Sequence, residues 1–137
     1  MVKSDGTVWF TDPAYFTSLQ PGQCVYRFDP AVGNASVVVA ANDTLSPNGL
    51  CFSPDETKLY VSDFPLDLPS SRCIRVYDVL PDNTLTNSRV FLPQTSDGMR
   101  VDATGRAERV GRPLSFAVVE CAGSNPDCHL RGALVES

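Results

Sequence analysis

The sequence predicts an all-β fold made of a repeated, strand-rich unit. The stretch from Asn48 to Asp63 reads NGLCFSPDETKLYVSD, and similar segments occur upstream as MVKSDGTVWFTD and downstream as DGMRVDATG. The spacing is nearly constant, because Asp63 lies 51 positions after Asp12 and Asp97 lies 49 positions after Asn48. The first 105 residues show no convincing helical period. A β-rich repeat of about fifty residues is typical of propeller blades, so we expect two blades and the first strand of a third.

The first predicted blade extends to about residue 41. Val8 to Asp12 is rich in β-forming residues, and Cys24 to Asp29 alternates between the two faces of a strand. Pro30 to Asn34 predicts the hairpin turn that leads to an outer strand at Ser36 to Ala40.

The second predicted blade repeats this order with clearer boundaries. Its strands are separated by segments rich in Pro, Ser and Asp and are predicted at residues 49–52, 58–63, 74–78 and 89–92. The apolar residues of the second strand in each blade are expected to form a core between blades: Trp9, Phe10, Leu59, Tyr60 and Val61.

The repeat is lost within the third blade. The unit begins at Asp97, but after Gly105 the next strand of the pattern is replaced by RAERVGRP and a Cys-containing segment. We therefore predict a partial propeller over residues 1–105 and an irregular tail, aberrant or disordered, over residues 106–137. The tail is interpreted either as a divergent terminus or, preferably, as translated sequence that does not belong to the fold. Because a closed ring needs about four to eight blades, we interpret the chain as part of a larger protein.

The composition argues against some classes of binding partner for this protein. A net charge of −5 with scattered Lys and Arg argues against nucleic-acid binding, and no apolar run is long enough to predict a membrane span. No signal peptide precedes the first strand, but Met1 falls within a predicted strand, so the compartment stays unassigned. The five cysteines lack metal-like spacing, and we expect Cys24, Cys51 and Cys73 to be small buried apolar residues rather than disulfide partners.

Two polar residues occupy equivalent positions before innermost strands. Asn48 precedes Gly49 to Phe52, and Asp97 precedes Gly98 to Val101. Innermost strands line the central channel of a propeller, so we expect these side chains to converge on its axis from neighbouring blades. Oxygen ligands of this kind suit a hard cation such as Ca²⁺ or Mg²⁺. Asn-Gly and Asp-Gly are also ordinary turn formers, so the spacing alone leaves a structural role open.

Four motifs resemble a known family. SDGTVWFTDP, PNGLCFSPDETKLYVSD, IRVYDV and SDGMRVDATG resemble the gluconolactonase, senescence-marker-protein and luciferin-regenerating-enzyme-like family, over roughly residues 2–105. The resemblance implies that this chain is an incomplete six-bladed β-propeller. For complete members it implies hydrolysis of a small-molecule sugar lactone or a related cyclic ester. It also implies one divalent metal ion in the central channel, with Ca²⁺ preferred over Zn²⁺, Mg²⁺ or Mn²⁺.

The resemblance assigns roles to the two polar residues. Matched by motif, Asn48 and Asp97 are metal ligands, and Asp97 is also catalytic as the general base toward the attacking water. The cation would polarise the lactone carbonyl. The family's third ligand, a Glu, would lie upstream of Met1, as would an Asn-Asp pair that positions the substrate. We therefore expect a lactonase fragment that is inactive as an isolated chain.

Other functions stay open at this point. The alternatives are a non-catalytic propeller segment that binds partners, a truncated gene product, and a strictosidine-synthase-like propeller with different chemistry. Asn48 and Asp97 favour the lactonase, because blade packing requires neither residue. Asp12 and Asp63 end equivalent strands, and this repetition favours a role in blade turns over a role in a site.

Overall fold

Strands make up nearly all of the regular structure. The computed structural model describes residues 1–13, 22–96 and 98–101, together with the backbone of strands at 107–110, 119–120 and 129–130. Apart from strands, the described residues form one short 3-10 helix, Pro69–Ser71. The all-β prediction is therefore confirmed.

The strands form three antiparallel sheets, each with its strands in chain order. The first sheet contains β1 (Val8–Asp12), β2 (Cys24–Asp29) and β3 (Asn34–Val39). The second sheet contains β4 (Pro47–Phe52), β5 (Lys58–Asp63), β6 (Cys73–Val79) and β7 (Leu85–Leu92). The third sheet contains β8 (Gly98–Val101), β9 (Ala107–Val110), β10 (Val119–Glu120) and β11 (His129–Leu130). These up-and-down sheets correspond to successive propeller blades.

The first residues of the chain take the innermost place in the first sheet. Val2 forms an antiparallel bridge with Val8. The Trp9 amide donates to the Met1 carbonyl at 2.7 Å, and the Met1 amino group donates to the Trp9 carbonyl at 2.7 Å. Met1 therefore lies in a strand-like pairing beside β1, as the repeat predicts.

Three tight turns share an Asp-x-Thr sequence, at residues 5–7, 55–57 and 82–84. In each turn the Thr amide donates to the Asp side chain, at 2.9, 3.1 and 2.9 Å respectively. The middle residue has a left-handed backbone, with φ of 84° at Gly6, 55° at Glu56 and 67° at Asn83. Only glycine adopts this conformation without steric cost. The turns therefore share one geometry although their middle residues differ.

The core lies between the sheets. One cluster joins the first and second sheets, and its buried members are Trp9, Val25, Val39, Phe52, Leu59, Val61 and Tyr77. At its centre the Trp9 and Phe52 rings meet edge to face, with centroids 5.2 Å apart. A second cluster joins the second and third sheets: Cys51, Tyr60, Ile74, Val76, Leu92 and Met99. The predicted inter-blade core is thus confirmed for Trp9, Leu59, Tyr60 and Val61.

Phe10 departs from that prediction. Its side chain is 41% exposed, and it stacks on Tyr26 with ring centroids 5.4 Å apart. Adjacent residues of a strand point to opposite faces, so Phe10 faces away from the cluster that buries Trp9. The prediction of a core role for Phe10 is therefore wrong in this structure.

The third sheet continues beyond the point where the sequence repeat is lost. β8 pairs with β9 from Gly98 to Val101, so a strand follows Gly105. β10 and β11 are added to β9 in order. Backbone groups can pair whatever the side-chain pattern, which explains why strands form where the motif has changed. The remainder of residues 106–137 lies outside the described residues, and its assignment as an irregular tail stays a prediction.

The cysteines of the described segments are buried and unpaired. Cys24, Cys51 and Cys73 are all free thiols, as predicted, whereas Cys121 and Cys128 lie outside the described residues. Burial raises the pKa of Cys51 to about 12, so its thiol stays neutral near pH 7. In the described part of the chain, no helix has the length and apolar character needed to cross a bilayer.

Candidate functional site

Asn48 lies in a β-bulge at the start of β4. Pro47 pairs with Asp63, and the next pair along the two strands is Leu50 with Val61. Two residues, Asn48 and Gly49, therefore oppose Ser62 alone. A bulge of this kind bends the strand and changes the direction of a side chain, and bulges are frequent beside active sites. Asn48 is half-buried there.

Asp97, the second predicted ligand, lies outside the described residues, but both of its neighbours are described. Ser96 is buried, and Gly98 begins β8. β8 packs against β4, and Met99 of β8 shares a buried cluster with Cys51 of β4. The segments before β4 and β8 therefore lead into neighbouring innermost strands.

Asp63, at the end of β5, holds the segment that leads to Asn48. Its carboxylate is fully buried and accepts hydrogen bonds from the amides of Leu45, at 3.0 Å, and Ser46, at 2.6 Å. The Arg75 guanidinium donates to the same carboxylate at 3.4 Å, and the Phe64 amide donates to the Ser46 carbonyl at 2.7 Å. A buried carboxylate is stable only with such partners. Asp63 thus has the structural role that its repetition predicts.

Ser62, the preceding residue, holds the segment that leads to Asp97. Its hydroxyl is buried and donates to the Ser96 carbonyl at 2.5 Å, and it accepts from the Ser96 amide at 3.0 Å. The Thr95 hydroxyl lies 2.5 Å from the same oxygen. Because Ser62 and Asp63 are adjacent, the segments before Asn48 and Asp97 lie at the same end of the sheets.

Thr11 makes a similar contact one blade earlier. Its hydroxyl donates to the Asn48 carbonyl at 2.6 Å. Thr11 lies 51 positions before Ser62, and each is followed by Asp. Sequence reasoning missed these hydroxyl groups as parts of the site, although the repeated Thr/Ser-Asp ending of β1 and β5 was the signal that could have found them.

The donor types in these segments fit a hard cation. Asn48 supplies an amide oxygen and Asp97 a carboxylate, and such oxygens are the donors that Ca²⁺ and Mg²⁺ prefer. The bulge and the surrounding hydrogen bonds fix the backbone that carries Asn48. Within the described residues, no group of three or more His, Cys, Asp or Glu side chains could hold a metal ion.

The sequence matches a family model over most of its length. The SMP-30/Gluconolactonase/LRE-like region model matches residues 1–107. The chain belongs to this family. The matched region includes Thr11, Asn48, Ser62 and Asp97, so the candidate site lies within the part that carries the family similarity.

Two proteins that are similar to this SMP-30/gluconolactonase-like chain bear lactonase names. A gluconolactonase from Zymomonas mobilis is 36% identical over 120 residues, which cover 73% of this chain and 32% of that protein. The lactonohydrolase OryL from Aspergillus oryzae is 31% identical over an alignment of 142 positions, and the alignment covers 77% of this chain and 32% of that protein. The chain thus spans about a third of the length of these relatives.

Two solved structures share the fold. A gluconolactonase from Xanthomonas campestris is similar with a TM-score of 0.76 and 29% identity, covering 97% of this chain and 44% of that chain. A luciferin-regenerating enzyme has a TM-score of 0.71 and 18% identity, covering 98% of this chain and 44% of that chain. The propeller fold predicted from the sequence is therefore confirmed, and the chain spans less than half of each of these two proteins.

Proposed function

We propose that this chain carries part of a divalent-metal-dependent sugar lactonase site, formed by Asn48 and Asp97 at the end of the sheets where β4 and β8 begin. The observation that carries the proposal is the placement of the two segments. Both are held by neighbouring residues of one strand end, Ser62 and Asp63, in a chain of the gluconolactonase-like family. A ligand could be contacted there from two blades at once.

Asn48 and Asp97 would hold the ion, with Ca²⁺ as the first choice and Zn²⁺, Mg²⁺ or Mn²⁺ as alternatives. When bound, the ion supplies Lewis-acid polarisation of the lactone carbonyl. Asn48 would bind through its neutral amide oxygen without adding charge. Asp97 would bind through its carboxylate and take a proton from the attacking water, as a general base placed within hydrogen-bond reach.

We further propose that the isolated chain has little lactonase activity. It supplies two of the three protein ligands that the family resemblance implies, and it covers 32% of the Zymomonas mobilis gluconolactonase. A site with fewer ligands binds its ion more weakly and leaves the substrate less well oriented.

Two measurements on the purified 137-residue chain test the proposal. Calorimetric titration with Ca²⁺ should detect binding that Asn48→Ala and Asp97→Ala both weaken. Asp82→Ala, which removes a carboxylate from a turn between β6 and β7, should bind Ca²⁺ as the unmodified chain does. Hydrolysis of glucono-δ-lactone, followed in a pH-stat with Ca²⁺, should not exceed the spontaneous rate.

The outcomes separate the two parts of the proposal. Equal Ca²⁺ affinity in the unmodified chain, Asn48→Ala and Asp97→Ala would overturn the metal site. Metal-dependent hydrolysis that is lost in Asp97→Ala would support the site and overturn the proposed inactivity of the isolated chain.

A further inference from the structure

We propose that Thr11 and Ser62 are positioning residues, which orient the peptides that carry Asn48 and Asp97 without binding the ion themselves. This inference rests on the proposed metal site. It adds to that site a repeated hydrogen bond. In each case a side-chain hydroxyl of one blade binds a backbone carbonyl near the start of the innermost strand of the next blade.

The contact of Thr11 falls on the bulge. Its hydroxyl donates to the Asn48 carbonyl across 37 positions of sequence, from β1 of the first sheet to β4 of the second. The sheet ladder is interrupted at Asn48 and Gly49. The hydrogen bond from Thr11 therefore fixes a peptide that the regular hydrogen bonds of the sheet constrain less strongly.

The contacts of Ser62 hold a peptide one blade later, one position earlier in the repeat. The hydroxyl donates to the Ser96 carbonyl, which belongs to the peptide bond that leads into Asp97. The Ser96 amide donates back to the Ser62 hydroxyl, so both sides of Ser96 are fixed by one side chain. Ser62 has no exposed surface, and water therefore cannot replace these bonds if the hydroxyl is removed.

The two contacts involve equivalent hydroxyl groups and differ by one position in the residue that they hold. Thr11 and Ser62 lie 51 positions apart, and Asn48 and Asp97 lie 49 positions apart. Thr11 bonds to the carbonyl of the candidate ligand Asn48, whereas Ser62 bonds to Ser96, the residue before the candidate ligand Asp97. A hydroxyl suits this role because it bonds to a carbonyl without adding a charge near the ion.

Calorimetric titration of the 137-residue chain with Ca²⁺ tests the inference with matched variants. Thr11→Val keeps the shape of the side chain but removes the hydroxyl, and it should weaken Ca²⁺ binding by about twofold to tenfold, as expected for one hydrogen bond. Thr11→Ser keeps the hydroxyl and should restore the affinity. Ser62→Ala should weaken binding at least as much as Thr11→Val, because it removes contacts on both sides of Ser96.

The control is Thr57→Val, which removes a hydroxyl that lies 2.9 Å from Asp55 in the turn between β4 and β5. Thr57→Val should lower stability without changing Ca²⁺ affinity. If Thr11→Val and Ser62→Ala bind Ca²⁺ as the unmodified chain does while Asn48→Ala does not, the positioning role is overturned and the metal site stands.

A second readout needs no metal. Amide hydrogen exchange in the metal-free chain should accelerate at Gly49 in Thr11→Val and at Ser96 in Ser62→Ala, relative to amides in β6. Unchanged exchange at both amides would overturn the inference. If the unmodified chain fails to bind Ca²⁺, the proposed metal site fails, and exchange alone then decides whether the hydroxyl groups hold these peptides.

Discussion

The first and second sheets share a sequence unit, but they bury it differently. Trp9 of β1 and Tyr60 of β5 occupy equivalent positions, and both are buried. The next residues are also equivalent, yet Phe10 is 41% exposed whereas Val61 is 0% exposed. The second sheet is packed on both faces, against the first sheet through Val61 and against the third through Tyr60. The comparison shows that the same motif gives a strand with two apolar faces. Whether each face is buried depends on whether another sheet packs against it.

The largest expected effect contrasts the two faces of β1. Trp9→Ala should lower the free energy of unfolding by about 3–5 kcal/mol, because it empties a buried site and removes the contact with Phe52. Phe10→Ala should cost about 1 kcal/mol or less, because a half-exposed ring loses mainly its stacking on Tyr26. Urea denaturation followed by far-UV circular dichroism measures both. Equal costs at the two positions would contradict the different burial of the faces.

A smaller effect on the free energy of unfolding is expected in the equivalent turns at residues 5–7 and 55–57. Gly6→Ala should destabilise the chain by about 1–2 kcal/mol, because φ at Gly6 is 84° and an added Cβ would meet no atom within 4 Å, which leaves backbone strain as the cost. Glu56 already adopts φ of 55°, and its carboxylate accepts from the Ser4 amide at 2.7 Å. Glu56→Gly should therefore be nearly neutral, since relief of strain offsets the lost contact.

The same denaturation assay decides the comparison of the turns. Glu56→Ala supplies the control, because it loses the contact with Ser4 and keeps the backbone strain. It should be less stable than Glu56→Gly. A Gly6→Ala variant as stable as the unmodified chain would show that the left-handed conformation is not required in the first turn.

The smallest expected effect is on the stability of the fold at low pH, and it concerns Asp78 of β6. Hydrogen bonds from Lys58, Asn87 and Arg89 lower the pKa of Asp78 from 3.8 to about 2. Because the folded-state pKa lies below the ordinary value, the stabilisation is complete above about pH 4 and is lost as the pH falls toward 2. Asp78→Asn should flatten the dependence of the free energy of unfolding on pH in that window.

Asp29, 49 positions earlier, provides the matched variant in the first sheet. Its ion pair joins it to one cation, Arg27 at 3.3 Å, whereas Asp78 has ion pairs with Lys58 and Arg89. At pH 7, Asp29→Asn should therefore lower the free energy of unfolding less than Asp78→Asn. Equal losses of stability in the two variants would contradict a larger contribution from the two ion pairs of Asp78.

Much of the fold could be predicted because its causes are local. The strands at Val8–Asp12 and Lys58–Asp63 follow from β-forming residues between turn signals. The structural role of Asp63 was also accessible, because a repeated strand-ending residue is explained by the blade itself. The exposure of Phe10 could not be predicted from the sequence. Alternation of residues identifies the two faces of a strand, but it does not show what packs against each face. The site roles of Asn48 and Asp97 and the irregular tail stay predictions.

By itself, the sequence determined the all-β class, the period of the unit and the order of strands in the first two sheets. Only the tertiary structure decided that β4 bulges at Asn48, that Phe10 is half-exposed, and that Ser62 binds a residue 34 positions away. The physical reason is the separation along the sequence between the residues that interact. Strand formation and turns depend on neighbouring residues, whereas burial and cross-blade hydrogen bonds depend on which distant segments the packed sheets bring together.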